Sequence, residues 1–303
     1  MIKIRSWKSQ KVETINLDNE KKPYTVAFTD HNEHDDRSDW TLQYLESLAN
    51  KVMCISYCPL NVSIQIGSQS FGIRELENFE LVSGRVLVDA TSLALPELLH
   101  IFSLLNKNKR SFDVVYVQPT DYNEKRETGI DKVVSFDLSE DGLGIQQVPP
   151  YIGMSTNSNV FFFLGWEGHR LGALINSDEF DTNNMTCLMG TPPFRLGWEN
   201  VTLSNNYRQM LELCNSSNVR FKHAGANDPV RTYELIEKIH ESSKYDRRSL
   251  CLAPFGTKPA AIAAAQFATN NSNVVILYDY VQKVKKRSSG TDLVHLWEFR
   301  YSE

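Results

Sequence analysis

One pattern constrains this chain more than any other: short apolar runs rich in β-branched and aromatic residues alternate with segments of helical spacing. "YTVAFT" (24–29) leads through the polar loop "DHNEHDDRSD" to a helix carrying Trp40, Leu42, Tyr44, Leu45 and Leu48 on its apolar positions. "KVMCISYCPL" and "NVSIQIGSQSFGI" read as a pair of strands, "RVLVDATS" as a strand entering a turn, "LPELLHIFSLL" as a helix and "SFDVVYVQPTDY" as the next strand. Beyond a polar, broken region at 123–159 the order returns. Strands "NVFFFLGW", "MTCLMGTPPF", "NVRFKHAG", "RSLCLAP" and "NVVILYDYV" alternate with helices that include "NYRQMLELC", "VRTYELIEKIHESS" and the small-residue "AAIAAAQF". Strands this apolar are covered on both faces, and crossover helices supply the cover. The expected fold is α/β, two tandem Rossmann-like units with mainly parallel sheets: 1–147, a linker at 148–157, and 158–303. A chain of 303 residues has room for both.

The halves also resemble each other. "VLVDATSLALPELLHIFSLL" followed by "FDVVYVQPTDY" matches "LCLAPFGTKPAAIAAAQFA" followed by "NVVILYDYV": strand, turn with Thr91 or Thr257, proline, helix, strand. "VAFTDHNEHDDRS" and "FFFLGWEGHRLG" each run from a strand through an acidic loop to an arginine, Arg37 or Arg170, that opens a helix. An internal duplication places Thr91 and Thr257 at equivalent turns; two βαβ units that converged on one turn chemistry are the alternative.

Five cysteines, an odd number without a paired framework, fit a reducing cytoplasm. Cys54 and Cys58 share a strand face with no partners to complete a zinc site, and read as buried apolar residues. The ionisable loop of Asp30, His31, Asp35, Asp36 and Arg37 lacks a diagnostic cation spacing, so no metal is expected. No signal core or membrane-length apolar run occurs, so no membrane partner is expected. A net charge of -5 argues against a general nucleic-acid surface. Lys283, Lys285, Lys286 and Arg287 form one local basic run that reads as a solvated loop.

In parallel α/β sheets, ligands bind beyond the carboxyl ends of the strands. Four turns of this chain lie there. At "PFGTKP", Gly256 permits close backbone approach, Thr257 offers a hydroxyl, Lys258 a point charge, and Pro259 suits a helix start. Either this is a phosphate cradle or it is a proline-started helix with an exposed lysine. Asp89, Thr91 and Ser92 suit a ribose and a phosphate, or else a helix cap. In "GWEGHR", Trp166 can stack on a base, Glu167 can act as acid or base, and Arg170 can clamp a phosphate; a core tryptophan beside an ion pair is the alternative. Asp30, Asp89 and Glu167 are the candidate catalytic groups if there is turnover. His100 and His240 lie in helical patterns and read as packing residues. Neither a GxGxxG nor a Walker loop occurs, and any cofactor is left unknown by the sequence.

The pairing of "VLVDATSLALPELL" with "APFGTKPAAIAAA" resembles the strand, turn and helix of CARF domains, Rossmann-like sensors of cyclic oligonucleotides in CRISPR-linked defence. Two such units in tandem are similar to SAVED domains. The resemblance implies ligand contacts at Asp89, Thr91, Ser92, Gly256, Thr257 and Lys258. It implies a cytoplasmic protein that binds a nucleotide-type anion in a bacterial defence or signalling system and works with a separately encoded protein partner. An enzyme acting on a nucleotide or phosphorylated metabolite, and a structural subunit of a defence complex, are the other functions these residues leave open.

Overall fold

The computed structural model describes residues 2–18, 21–30, 35–122, 139–179, 181–216, 219–283 and 288–301. His31 and residues 285–287 of the basic run lie outside them. The chain divides into two compact units, Met1–Asn123 with Lys285–Glu303, and Glu124–Val284.

The first unit begins with β1 (Ile2–Lys11), β2 (Tyr24–Thr29), α1 (Asp36–Leu48), β3 (Ala49–Cys58), β4 (Ser63–Ile66) and β5 (Gln69–Gly72). It continues with β6 (Val86–Asp89), α2 (Leu95–Lys107), β7 (Phe112–Val117) and β8 (Asp121–Tyr122). The second unit holds β9 (Ser139–Gln147), β10 (Asn159–Phe163), α3 (His169–Ile175), β11 (Met185–Gly190), α4 (Trp198–Ser216) and β12 (Arg220–Ala224). α5 (Pro229–Tyr245), β13 (Leu250–Ala253), α6 (Lys258–Asn270) and β14 (Val274–Lys283) complete it. The chain then returns to the first unit with β15 (Ser288–Ser289) and β16 (Leu293–Tyr301).

The first sheet has the order β1-β16-β7-β6-β2-β3-β4-β5. Its centre, β7-β6-β2-β3, is parallel; β16 and β4 extend it antiparallel on either side. The second sheet has the order β12-β11-β10-β13-β14-β9, parallel except for β9. The protein is thus α/β with two mixed sheets built around parallel strands.

Sheet membership differs from the expected boundaries at both ends. β9, expected in the first unit, pairs with β14. The expected linker at 148–157 is partly zipped to the same strand, with Val148 N–H donating to the Ile276 carbonyl and Ile276 N–H to that of Tyr151. β16, expected in the second unit, lies between β1 and β7. Its side chains explain the return: Phe299 stacks on Phe112 at 4.7 Å and packs on Phe102 of α2, while the Arg300 guanidinium meets buried Asp113 at 2.6 Å. Asp113 also accepts from Tyr24 and Arg85, so one buried carboxylate joins three strands and the loop that leads into a fourth. A linear reading of strand and helix periods carries no information about such a long-range partner.

Local chemistry sets the two helices that follow the compared turns. α2 is bulky and amphipathic, burying Leu98, Leu99, Phe102 and Leu105. α6 is buried on every side from Pro259 to Ala268. It packs on both the sheet and α5, and small side chains allow both contacts to be close. Among the described residues no helix is long and apolar enough to cross a membrane.

Candidate functional site

The clearest site geometry lies at the carboxyl ends of the parallel strands in the second unit. Four of the five meet a glycine: Gly165 after β10, Gly190 ending β11, Gly225 after β12 and Gly256 after β13. At two of them, Gly165 and Gly256, backbone leaves little or no room for a side chain. A Cβ on Gly165 would lie 2.2 Å from the Phe255 carbonyl oxygen, and one on Gly256 would lie 3.0 Å from that of Leu164. The two chain segments therefore cross almost in backbone contact.

Around this crossing is a concavity lined by Phe163, Leu164, Gly190, Gly225, Gly256 and Thr257, among others. Its space, open solvent included, is about 220 Å³. The N-terminus of α6 opens beside it: Thr257 is the N-cap, with no side-chain cap hydrogen bond, and the first-turn amides of a helix lack partners within the helix. The Thr257 hydroxyl donates to the Ala226 carbonyl at 2.8 Å, fixing the turn to the loop after β12. Its proton is committed within the fold, and Lys258, the first residue of α6, is half-buried.

"GWEGHR" surrounds a different feature. Arg170 lies between two buried carboxylates, 2.7 Å from Glu167 and 2.7 Å from Asp279 of β14, and its guanidinium faces the Phe255 ring at 5.5 Å. Trp166 packs edge-on against Trp198 at 5.3 Å. Gly168 admits no side chain, since its Cβ would fall 1.9 Å from the Asn205 carbonyl oxygen of α4. Here the structure forms an ion triad that fastens α3 to the edge of the parallel sheet.

The corresponding turn in the first unit is closed by its own side chains. Asp89 is fully buried; one carboxylate oxygen accepts the Thr29 hydroxyl at 2.7 Å, the other the Thr91 N–H at 2.7 Å and the Ser92 N–H at 3.4 Å. The Thr91 hydroxyl oxygen accepts the Val117 N–H. An internal carboxylate thus occupies the amides that an anionic ligand would need. Arg37, like Arg170 the second residue of its helix, is buried against Asp35 at 2.6 Å, and Asp35 caps α1 and accepts from Ser288. Burial works against the Arg37 charge, but Tyr116, Tyr122 and Asp35 outweigh it and hold the guanidinium above its usual pKa. Asp30 stands at the end of β2, where its charge adds to burial in raising the Cys54 thiol.

The sequence matches no protein-family model, and no curated protein matches it.

Among the described residues no group of His, Cys, Asp or Glu is arranged to hold a metal ion. Burial pushes the Cys187 thiol up to about 12, with the nearby Cys214 adding to the shift. Burial alone takes His100 down to about 4. Sequence reasoning found the Gly256 turn but missed Gly165, Gly190 and Gly225, and it missed Asp279 as the partner of Arg170. The glycines carried a readable signal, since four of the five strand motifs of that half run into glycine. Asp279 carried none, lying 109 positions from Arg170.

Proposed function

We propose that the protein binds a nucleotide-type anionic ligand, with a phosphate-sized group seated at the glycine-rimmed strand ends of the second unit. The observation that carries this reading is the meeting of three things there: the strand-end glycines Gly190, Gly225 and Gly256, a small concavity, and the N-terminus of α6. Backbone N–H groups and a lysine complement phosphate, and the glycines let it approach. Sugar and base would extend outward from so small a seat. The strand order β12-β11-β10-β13-β14 supports a Rossmann-like reading of this unit, because it runs third, second, first, fourth, fifth in chain order and the concavity lies by its switch point.

The matching positions of Thr91 and Thr257, each after the strand that flanks the first parallel strand of its sheet, support an ancient duplication. On the resemblance to CARF and SAVED domains, we place the protein in a defence or signalling system with a cyclic oligonucleotide or related second messenger as ligand and a separately encoded protein as partner. Binding is favoured over turnover because Glu167 and Asp89 are held in internal ion pairs and hydrogen bonds.

The test is mass spectrometry of small molecules that copurify with the native protein, then calorimetry with mononucleotides and cyclic oligonucleotides. Binding of one class, weakened by Lys258→Ala, is expected. Failure of every nucleotide to bind overturns the reading.

A further inference from the structure

A chain of side-chain hydrogen bonds in the first unit has a fixed direction and uses none of the residues proposed to hold a nucleotide. The Asp292 carboxylate only accepts, so the Gln118 amide turns its nitrogen toward it, at 3.3 Å. That leaves Gln118 Oε1 facing His295 Nε2 at 3.2 Å, and Nε2 must carry the ring proton. Nδ1 is then a bare lone pair, and the Ser9 hydroxyl donates to it at 2.8 Å. The frame is rigid. Asp292 N–H donates to the Gln118 carbonyl and Gln118 N–H to that of Leu293, while the imidazole stacks with Tyr116 and Trp297 at 6.2 and 5.5 Å.

A hydroxyl, a base within hydrogen-bond reach and a group that orients the base are the parts of an activated nucleophile. The two ends differ as that chemistry needs. His295 is only 1% exposed, and burial takes it down to about 4, so at neutral pH it is uncharged and able to accept a proton. Ser9, on the edge strand β1, is exposed. Opposed residues of an antiparallel pair share a face, so Trp7, opposite Trp297, and Lys11, opposite Leu293, flank Ser9 on its own side of the strand. Trp7 is 47% exposed and offers a flat surface.

We propose that Ser9 is an acyl-transfer nucleophile, with His295 as its general base, acting on esters whose flat leaving group departs as an anion. Ser9 Oγ bonds the acyl carbon as its proton passes to His295 Nδ1. The leaving group takes the electron pair of the broken C–O bond, and His295 then releases the proton to water. A base this weakly basic limits the reaction to good leaving groups. Trp7 offers such a group a stacking surface, and Lys11 supplies positive charge on the same face.

Diisopropyl fluorophosphate, which acyl-transfer serines attack in the same way, should label the full chain on Ser9, as mapped by mass spectrometry. 4-Nitrophenyl acetate should release a stoichiometric burst of 4-nitrophenolate. Ser9→Ala should abolish both with an unchanged melting profile, because the side chain is exposed. His295→Phe, which keeps an aromatic ring in the stack, should slow labelling by about a hundredfold or more, the scale of lost general-base help. The wild-type labelling rate should stay level between about pH 6 and pH 8, since the base is already neutral, whereas an unassisted serine speeds up about tenfold per pH unit with hydroxide. That profile decides the matter even if His295→Phe does not fold. No adduct on Ser9, a folded His295→Phe protein labelled within a few-fold of the wild-type rate, or a rate that climbs with hydroxide would overturn the inference.

Discussion

The turn after β6 and the turn after β13 occupy the same place in their sheets and are filled in opposite ways. In the first, the Asp89 carboxylate sits on the turn amides and on Thr29, with no exposure to solvent. In the second, the last strand residue is Ala253, the turn runs through Gly256, and the space in front of α6 is an open concavity. A strand-turn-helix unit presents an anion-binding edge by default, and a single acidic residue can occupy that edge permanently. On the proposed function, the difference would divide a structural role from a ligand-binding one between two similar pieces of chain.

The largest effect expected concerns the feature that the two units share, a buried arginine at the second position of the first crossover helix. Arg170→Met leaves Glu167 and Asp279 buried side by side and should cost about 3–5 kcal/mol, as loss of one partner from a buried ion group does. Arg37→Met should cost a similar amount by stranding Asp35. Thermal or urea unfolding of both variants checks this, and a large asymmetry would break the equivalence of the two helices.

Asp89→Ala should come next. It strands the Thr29 hydroxyl and two turn amides, at roughly 1–3 kcal/mol for each buried group left unpaired. If Asp89 instead contacts ligand, the loss would appear in binding and hardly at all in unfolding.

Acid should separate the units as well. His100 and His295, both in the first unit, are taken down to about 4 by burial, from an ordinary value of 6.5. Their folded pKa lies below the unfolded one, so the unfolded chain binds more protons between those values. The stability they permit is complete above about pH 6.5 and is lost as pH falls toward about 4, by up to ~1.4 kcal/mol per pH unit for each histidine. His240 in the second unit shifts in the same direction. Hydrogen exchange at pH 7 and pH 5 should show the amides of β7 and β16 losing more protection than those of β10 and β13.

The smallest effect on stability and the sharpest on function belongs to Lys258. Lys258→Ala should weaken nucleotide binding by about tenfold or more, since a charged hydrogen bond contributes roughly 1.5–3 kcal/mol. Its melting temperature should change little. Calorimetry and a thermal melt on the same sample give both numbers.

Most of the architecture was legible because it is local. Strands such as "VLVD" and "NVFFF" and the helical spacing of α2 and α5 announce themselves in four to twelve residues. The Gly256 turn was legible for the same reason. Two things were not. The return of β16 to the first sheet depends on aromatic partners nearly two hundred positions away in sequence, and β9 pairs with β14 across more than a hundred positions. The occupation of the first turn by Asp89 was half visible: its helix-cap chemistry could be read, but that both carboxylate oxygens would be used, one of them by Thr29 from a neighbouring strand, required the packed sheet.

Hydrogen–deuterium exchange with and without nucleotides, drawn from mononucleotides and cyclic oligonucleotides, tests the division of roles most directly. The bound nucleotide should slow exchange at the amides of 256–261 and of the loops after Gly190 and Gly225, and leave 89–93 unchanged. Protection confined to 89–93, or no protection at 256–261 by any nucleotide, would contradict it.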